Sequence, residues 1–189
     1  MTERQQMILL EEAAHEVALA SRRIALLHLA FAQTLVEEFG EKRGTELIVK
    51  AIKAYGTRVG EEARASVLAQ GLELTPANFS AGAARGLPRF GMHEGKKSVE
   101  VDGETRFRSY GCVMGNLWKE LGEGKLGRLY CLVDPAKFMA FNPDYKLAHA
   151  KAIPDGDPYC EFCIRKTTEQ ERRDFASQEA DWTYIDQCG

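Results

Sequence analysis

Residues 3–39 repeat apolar side chains at Met7, Leu10, Ala14, Val17, Ile24, Leu27, Phe31, Leu35 and Phe39. That spacing follows the 3.6-residue turn of an α-helix. Gly40 and Gly44 punctuate its end. Residues 45–70 carry the same period through Leu47, Ile48, Ala51, Ile52, Tyr55, Val59, Ala63 and Val67, and Gly71 suits the position just past the helix end. Gly56 and Gly60 fall inside this second helix, where each costs up to ~1 kcal/mol against alanine. Their spacing suggests that another element approaches closely there. The chain is thus committed to helix before any strand signal appears.

The second half changes character. Residues 75–98 are rich in Gly, Pro, Ala and Ser and carry no period, which reads as a linker or a covering loop. "SVEVDGETRFRSYGC" reads as a hairpin turning at Asp102-Gly103. "VMGNLWKELG" reads as a short helix and "KLGRLYCLV" as a strand. "DPAKFMAF" reads as a helix capped by Asp134, with Pro135 at its first position. "DYKLAHAKAI" is a strand, "PDGDP" a turn shaped by Asp157, and "YCEFCIRKT" a last strand. In the polar tail from Glu169, Trp182 and Tyr184 are expected to dock back. Helices first and strands later predict an α+β fold, with N-terminal helices packed with a C-terminal, mainly antiparallel sheet and short interleaved helices. One domain is expected over 1–189: a helical region at 1–74, the loop at 75–98, a motif-bearing core at 99–168 and the tail at 169–189.

Composition narrows the function classes. Hydrophobic residues make up 44% and charged residues 28%, which allows a packed core. A formal charge of −3 provides no positive field for nucleic acid or an anionic membrane. The clusters "SRR" at 21–23 and "ERR" at 171–173 are flanked by acids and read as solvated faces. Glu11, Glu12, His15 and Glu16 interrupt the N-terminal apolar stretch, so it does not read as a signal peptide. No segment reaches the ~20 apolar residues of a bilayer span. These readings predict a cytoplasmic protein. Its five cysteines are then expected to be mostly thiols, with a disulfide framework unexpected.

Two of those cysteines sit in "DPYCEFC". A structural zinc site wants four ligands, and this is the one CxxC in the chain. On a strand, residues three apart point to opposite faces, so Cys160 and Cys163 would not converge on one ion. A reactive CxxC sits at a helix N-terminus, which a strand does not provide. The pair therefore reads as a coincidence of spacing.

A longer series carries more. Cys112, Glu120-Leu121-Gly122, Leu126-Gly127, Cys131, Asp134, Phe141-Asn142-Pro143, Gly156 and Cys160-Glu161-Phe162 occur in that order. Over about residues 107–166 this series resembles the L-2-amino-thiazoline-4-carboxylic acid hydrolase family. Where members often carry an acidic residue after the first cysteine, this chain has Gly115 and Asn116. It has "AHAK" where members tend to have Arg-Thr. A more distant likeness is to 4-vinyl-reductase-type and Bet3-like ligand-binding domains, some of which bind zinc through cysteines of this region.

The resemblance implies hydrolysis of a C–N bond in a small cyclic amidine or amide, such as L-2-amino-thiazoline-4-carboxylate, giving a carbamoyl amino acid. Such chemistry needs a nucleophile, an acid for the leaving nitrogen and donors for the charged intermediate. Cys131, expected at a strand end beside the helix starting near Asp134, is the preferred nucleophile because a helix N-terminus lowers a thiol pKa. Its other reading is a small core thiol. Asp134, His149 and Cys160 complete the catalytic candidates, with Asp134 also readable as an N-cap and His149 as a structural residue. Cys112, Trp118, Asn142 and His93 are the substrate-binding candidates. Asn142 is also a turn former, Trp118 and Phe138 also core residues, and His93 a lid residue in the Gly-rich loop. His15 and His28 are expected near the helix surface. The alternative function is a binding module without catalysis, holding a small molecule or a metal. For that case zinc or another divalent ion would use Cys131, His149 and Cys160, and no other cofactor is expected. The expected partners are a small-molecule substrate and, through the long helix, a second copy of the chain, with no nucleic acid or membrane.

Overall fold

The computed structural model describes residues 8–83 and 91–188. Helix α1 spans Leu10–Ala69 and is broken at Gly40, whose φ of 77° lies outside helical geometry. At the break the chain folds back. A Cβ on Gly44 would lie 2.7 Å from the Leu35 carbonyl oxygen and the Val36 Cα, so only glycine lets the two arms close at the turn. Ala32 of the first arm and Ile48 and Ile52 of the second share one core cluster. The two helices expected from the sequence are therefore the arms of an antiparallel hairpin.

A 3-10 turn at Pro76–Asn78 and helix α2 (Phe79–Ala83) follow. The Gly/Pro-rich segment is thus partly helical; its residues 84–90 lie outside the described residues. Strands β1 (Gly95–Val101) and β2 (Glu104–Tyr110) form the expected hairpin, with Asp102 at φ 52° and Gly103 at φ 77° in the turn. Helix α3 spans Val113–Glu120 and ends at Gly122, a glycine with φ 73° in the left-handed cap position.

The expected strand at "KLGRLYCLV" is instead helix α4, Gly124–Tyr130. Leu126, Leu129 and Tyr130 are spaced i, i+3, i+4 and pack as one stripe against the arms of α1. The run is too short for that period to stand out. Helix α5 spans Val133–Phe141. It begins two residues earlier than expected, with Leu132 at the N-cap, so Asp134 is not the cap but lies in the first turn with its carboxylate released for other partners. Strand β3 (Tyr145–Lys151), a 3-10 turn at Ile153–Asp155, strand β4 (Cys160–Lys166), helix α6 (Glu169–Ala176) and a last 3-10 turn at Thr183–Ile185 complete the order. The architecture is α+β.

The sheet is antiparallel throughout, in the order β1-β2-β4-β3. Paired residues share a face. Leu147 and Ile164 are paired, and both pack with Phe138 and Phe141 of α5, so that face looks toward the helices. On the other face Glu161 is held by Arg106 and Arg108 at 2.9 and 2.7 Å, and Lys146 meets Glu171 of α6 at 2.5 Å. Cys163 belongs to this outer face and is disulfide-bonded to Cys188. Three of the five cysteines are thiols, as expected, but Cys163 and Cys188 depart from that expectation: a separation of 25 residues gave the sequence no local signature for the pair. Trp182 and Ile185 dock against the α1 hairpin as expected of the tail, and Tyr184 donates its hydroxyl to Asp174. Among the described residues no helix is long and apolar enough to cross a membrane.

Helix α5 crosses the second arm of α1 at backbone distance. A Cβ on Gly56 would fall 2.6 Å from Ala136 Cβ, and one on Gly60 only 2.2 Å from the Lys137 carbonyl oxygen. This is the close approach anticipated from the two glycines. Gly60→Ala places a methyl group against a fixed carbonyl, and overpacking of that kind costs about 1–3 kcal/mol, more than the ~1 kcal/mol gained in helix propensity. A lowered urea midpoint for Gly60→Ala is therefore expected.

His28 is not on the surface. Its Nε2 lies 2.9 Å from the Leu126 carbonyl oxygen, and its ring packs edge-on against Trp118 and Tyr130. Burial lowers its pKa, opposed by the Leu126 bond. As pH falls through ~6.5 the unfolded chain takes a proton that folded His28 refuses, so stability drops. The loss is complete once pH passes below the folded pKa. Urea midpoints from pH 8 to 5 are expected to fall, and less steeply for His28→Gln.

Candidate active site

Three thiols lie at the junction of α3, α4, α5 and β4, within electrostatic reach of one another. Cys112 is the N-cap of α3, its Sγ 3.5 Å from the Gly115 N–H that donates to it. Cys131 is the C-cap of α4, with helical φ/ψ, and is followed directly by α5. Cys160 opens β4 and its Sγ accepts the Ile153 N–H at 3.5 Å. Three glycines let these pieces meet. A Cβ on Gly115 would press on Ile153 at 3.2 Å, one on Gly124 would lie 2.3 Å from the Pro154 carbonyl oxygen, and one on Gly127 would enter the Trp118 ring at 2.4 Å. Trp118 is a core residue that donates its indole N–H to the Ala25 carbonyl at 3.1 Å, and Cys112 and Cys131 pack against its cluster.

The CxxC behaves as the strand geometry required. Cys160 faces the helices and Cys163 faces away, into the disulfide. Ser109 pairs with Cys160 and shares its face. Its hydroxyl is buried and has no hydrogen-bond partner.

The thiols are not activated. Burial pushes Cys112 up, against the pull of the Gly115 and Met114 N–H groups. Burial pushes Cys131 well up, with Arg128 acting the other way and Asp134 adding to the rise. Cys160 is pushed up to about 12 by burial. The expectation that a helix N-terminus would lower the Cys131 pKa is therefore corrected, because desolvation outweighs every favourable charge around it.

Beside the thiols lies a chain of charges. His149, on β3, points Nδ1 at Asp186 Oδ1 at 2.8 Å, and Asp186 Oδ1 also accepts the His149 backbone N–H at 3.0 Å. The other ring nitrogen, Nε2, is 3.6 Å from Asp134 Oδ2. Arg128 Nη2 lies 2.7 Å from Asp186 Oδ2, an ion pair without aligned hydrogen-bond geometry, and its Nε donates to Asp155 at 2.9 Å. Lys137 pairs with Asp134 one turn along α5. Burial works to raise the Asp134 pKa, but Lys137, His149 and Lys96 outweigh it and hold the carboxylate below its usual range. The result is an imidazole fixed between two carboxylates.

The remaining sequence candidates are placed as follows. Asn142 caps α5 and uses both ends of its amide locally, donating to the Leu74 carbonyl at 2.7 Å and accepting from the Asp144 N–H at 2.9 Å. Asp157 accepts the Ala152 N–H at 3.0 Å and shapes its turn. His93 lines a cleft of about 550 Å³ together with Arg22, Glu94, Asn116 and Glu120. Gly111 and Val113 also line it, whereas the Cys112 side chain between them packs against the Trp118 cluster. The metal set Cys131, His149 and Cys160 is not assembled: Cys131 belongs to a helix end, and the described residues contain no group of three side chains arranged to hold an ion.

Sequence reasoning missed Arg128, Lys137, Ser109 and Asp186. Only Lys137 had a local signal, its i, i+3 spacing from Asp134. Asp186 lies in a polar tail with no period, and nothing in "YIDQC" marks it.

The model of the L-2-amino-thiazoline-4-carboxylic acid hydrolase family matches residues 20–164. No curated protein and no solved structure matches the chain.

The thiol chemistry is measurable. Unfolding without reductant is expected to expose Cys112, Cys131 and Cys160 to a thiol reagent, and reduction to add Cys163 and Cys188. In the folded protein, alkylation of the first three at pH 7 is expected to be slower than for a free cysteine, whose pKa is about 8.5.

Proposed function

We propose that this chain, which belongs to the L-2-amino-thiazoline-4-carboxylic acid hydrolase family, hydrolyses a small cyclic amidine of the L-2-amino-thiazoline-4-carboxylate type to a carbamoyl amino acid. The observation that carries this reading is the contact of Asp186 with His149 Nδ1 at 2.8 Å, which turns Nε2 toward Asp134. The ring carbon between sulfur and nitrogen is electrophilic, and water adding to it must lose a proton. His149 Nε2 takes that proton, and Asp134 stabilises the imidazolium that forms. The same proton then goes to the ring nitrogen as its C–N bond breaks. An amine leaving group needs that proton, whereas a thiolate leaving group does not. An acid–base pair therefore favours C–N scission, which leaves the carbamoyl group on sulfur. The unpartnered Ser109 hydroxyl beside Cys160 is the donor best placed to meet charge on the intermediate.

A second reading has Cys131 attack first, supported by Arg128 beside its thiol. Sulfur bonds to the ring carbon, its proton passes to the departing nitrogen, and water then displaces Cys131. The net reaction is the same.

The test is incubation with L-2-amino-thiazoline-4-carboxylate, followed by mass spectrometry and thiol titration. A product heavier by one water and without a new thiol is expected. Absence of turnover overturns the substrate class, and release of a thiol overturns C–N scission. Asp186→Asn is expected to lower kcat about 10²-fold with little change in KM, as loss of an oriented acid–base group does. Cys131→Ser retains most turnover if water adds directly and loses it if the covalent route operates.

A further inference from the structure

The first arm of α1 is apolar on two sides. Ala25, Leu29 and Ala32 face the core, yet Leu10, Ile24, Leu27 and Phe31 are 65, 43, 58 and 65% exposed. These residues belong to a strict repeat. Leu10, Val17, Ile24 and Phe31 are seven apart, and Ala13, Ala20 and Leu27 each follow three later. That is the a/d spacing of a two-stranded coiled coil sustained over three heptads, about 33 Å of helix. The cleft that contains Arg22 and His93 opens on another side of the arm, at Ala14, Ala18 and Leu19. Of the seam, Ala13 and Val17 are partly covered by their own chain, Val17 near Gly91.

We infer that this seam is an antiparallel homodimer interface, in which the first arm of α1 pairs with the same arm of a second copy. Size and charge select both the partner and the direction. In an antiparallel register an a position meets a d position of the partner. Leu10 then meets Leu27, Ile24 meets Ala13 and Val17 meets Ala20, so bulky side chains face small or flexible ones along most of the seam. The flanking g positions pair with each other across the two-fold axis. Glu16 and Arg23 occupy them, and the same register sets Glu16 of each copy against Arg23 of the other. Both side chains are exposed, and neither forms an ion pair in its own chain among the described residues. A parallel pair would instead stack Ala13 on Ala13 and Ala20 on Ala20, and would set Glu16 toward Ser21, which is buried in its own chain.

The test is sedimentation equilibrium of the full chain at micromolar concentration, with circular dichroism to check the fold. The wild type is expected to be a dimer. Glu16→Lys and Arg23→Glu, each creating two like-charge contacts, are each expected to raise the dissociation constant about tenfold or more at low salt. The double variant, Glu16→Lys with Arg23→Glu, rebuilds the pairs with reversed sign and is expected to return to near the wild-type value. A monomeric wild type overturns the interface. Single variants that dimerise like the wild type, or a double variant no better than the singles, overturn the antiparallel register. Because assembly is the readout, failure here leaves the hydrolase reading untouched, and loss of turnover leaves this one untouched.

Discussion

Helix α5 touches the second arm of α1 with no side chain between them, because Gly56 and Gly60 present bare backbone to Ala136 and Lys137. Everything at the site is measured from that contact. With α5 pinned, the first turn places Asp134 at a fixed depth, and the α4–α5 junction carries Cys131 beside it. The far end of α5, through Phe138 and Phe141, sets the height of the sheet and hence of His149 and Cys160. Interiors packed to crystal density transmit such placements stiffly.

Electrostatics then decide what the placed groups are. The same desolvation acts on the thiols and on Asp134, with opposite outcomes. The thiols have only Arg128, Lys96 and a few N–H groups to oppose burial, so they stay protonated. Asp134 has Lys137, His149 and Lys96, so it stays charged. The site thus carries neutral sulfur on one side and, on the other, the charged Asp134 in a row with His149 and Asp186. That contrast is what supports giving proton transfer to the row in the proposed reaction.

Much of the fold was legible because it rests on local periods. The two helical arms, Asp102-Gly103, α3, β3 and β4 all follow from spacing or turn chemistry within a few residues. Helix α4 was misread because seven residues hold too few turns for a 3.6 period to show. The site was legible only in part, and for a related reason. Cys131, Asp134, His149 and Cys160 are flagged by residue type and order. Asp186, Arg128 and Ser109 matter through where the fold carries them, and residues so far apart in the chain leave no pattern in the sequence. The Cys163–Cys188 bond was invisible on the same ground.

The region recognised as family ends at residue 164, but Asp186 reaches His149 from beyond it, on a tail that adds no strand to the sheet. In the proposed reaction the carboxylate that orients His149 thus comes from the appendage after the last strand, outside the region shared with the family. The same appendage is bound to the sheet, through Cys188 on Cys163 of β4 and Glu171 on Lys146 of β3, so the segment that carries the carboxylate to the ring also braces the strands that carry the ring.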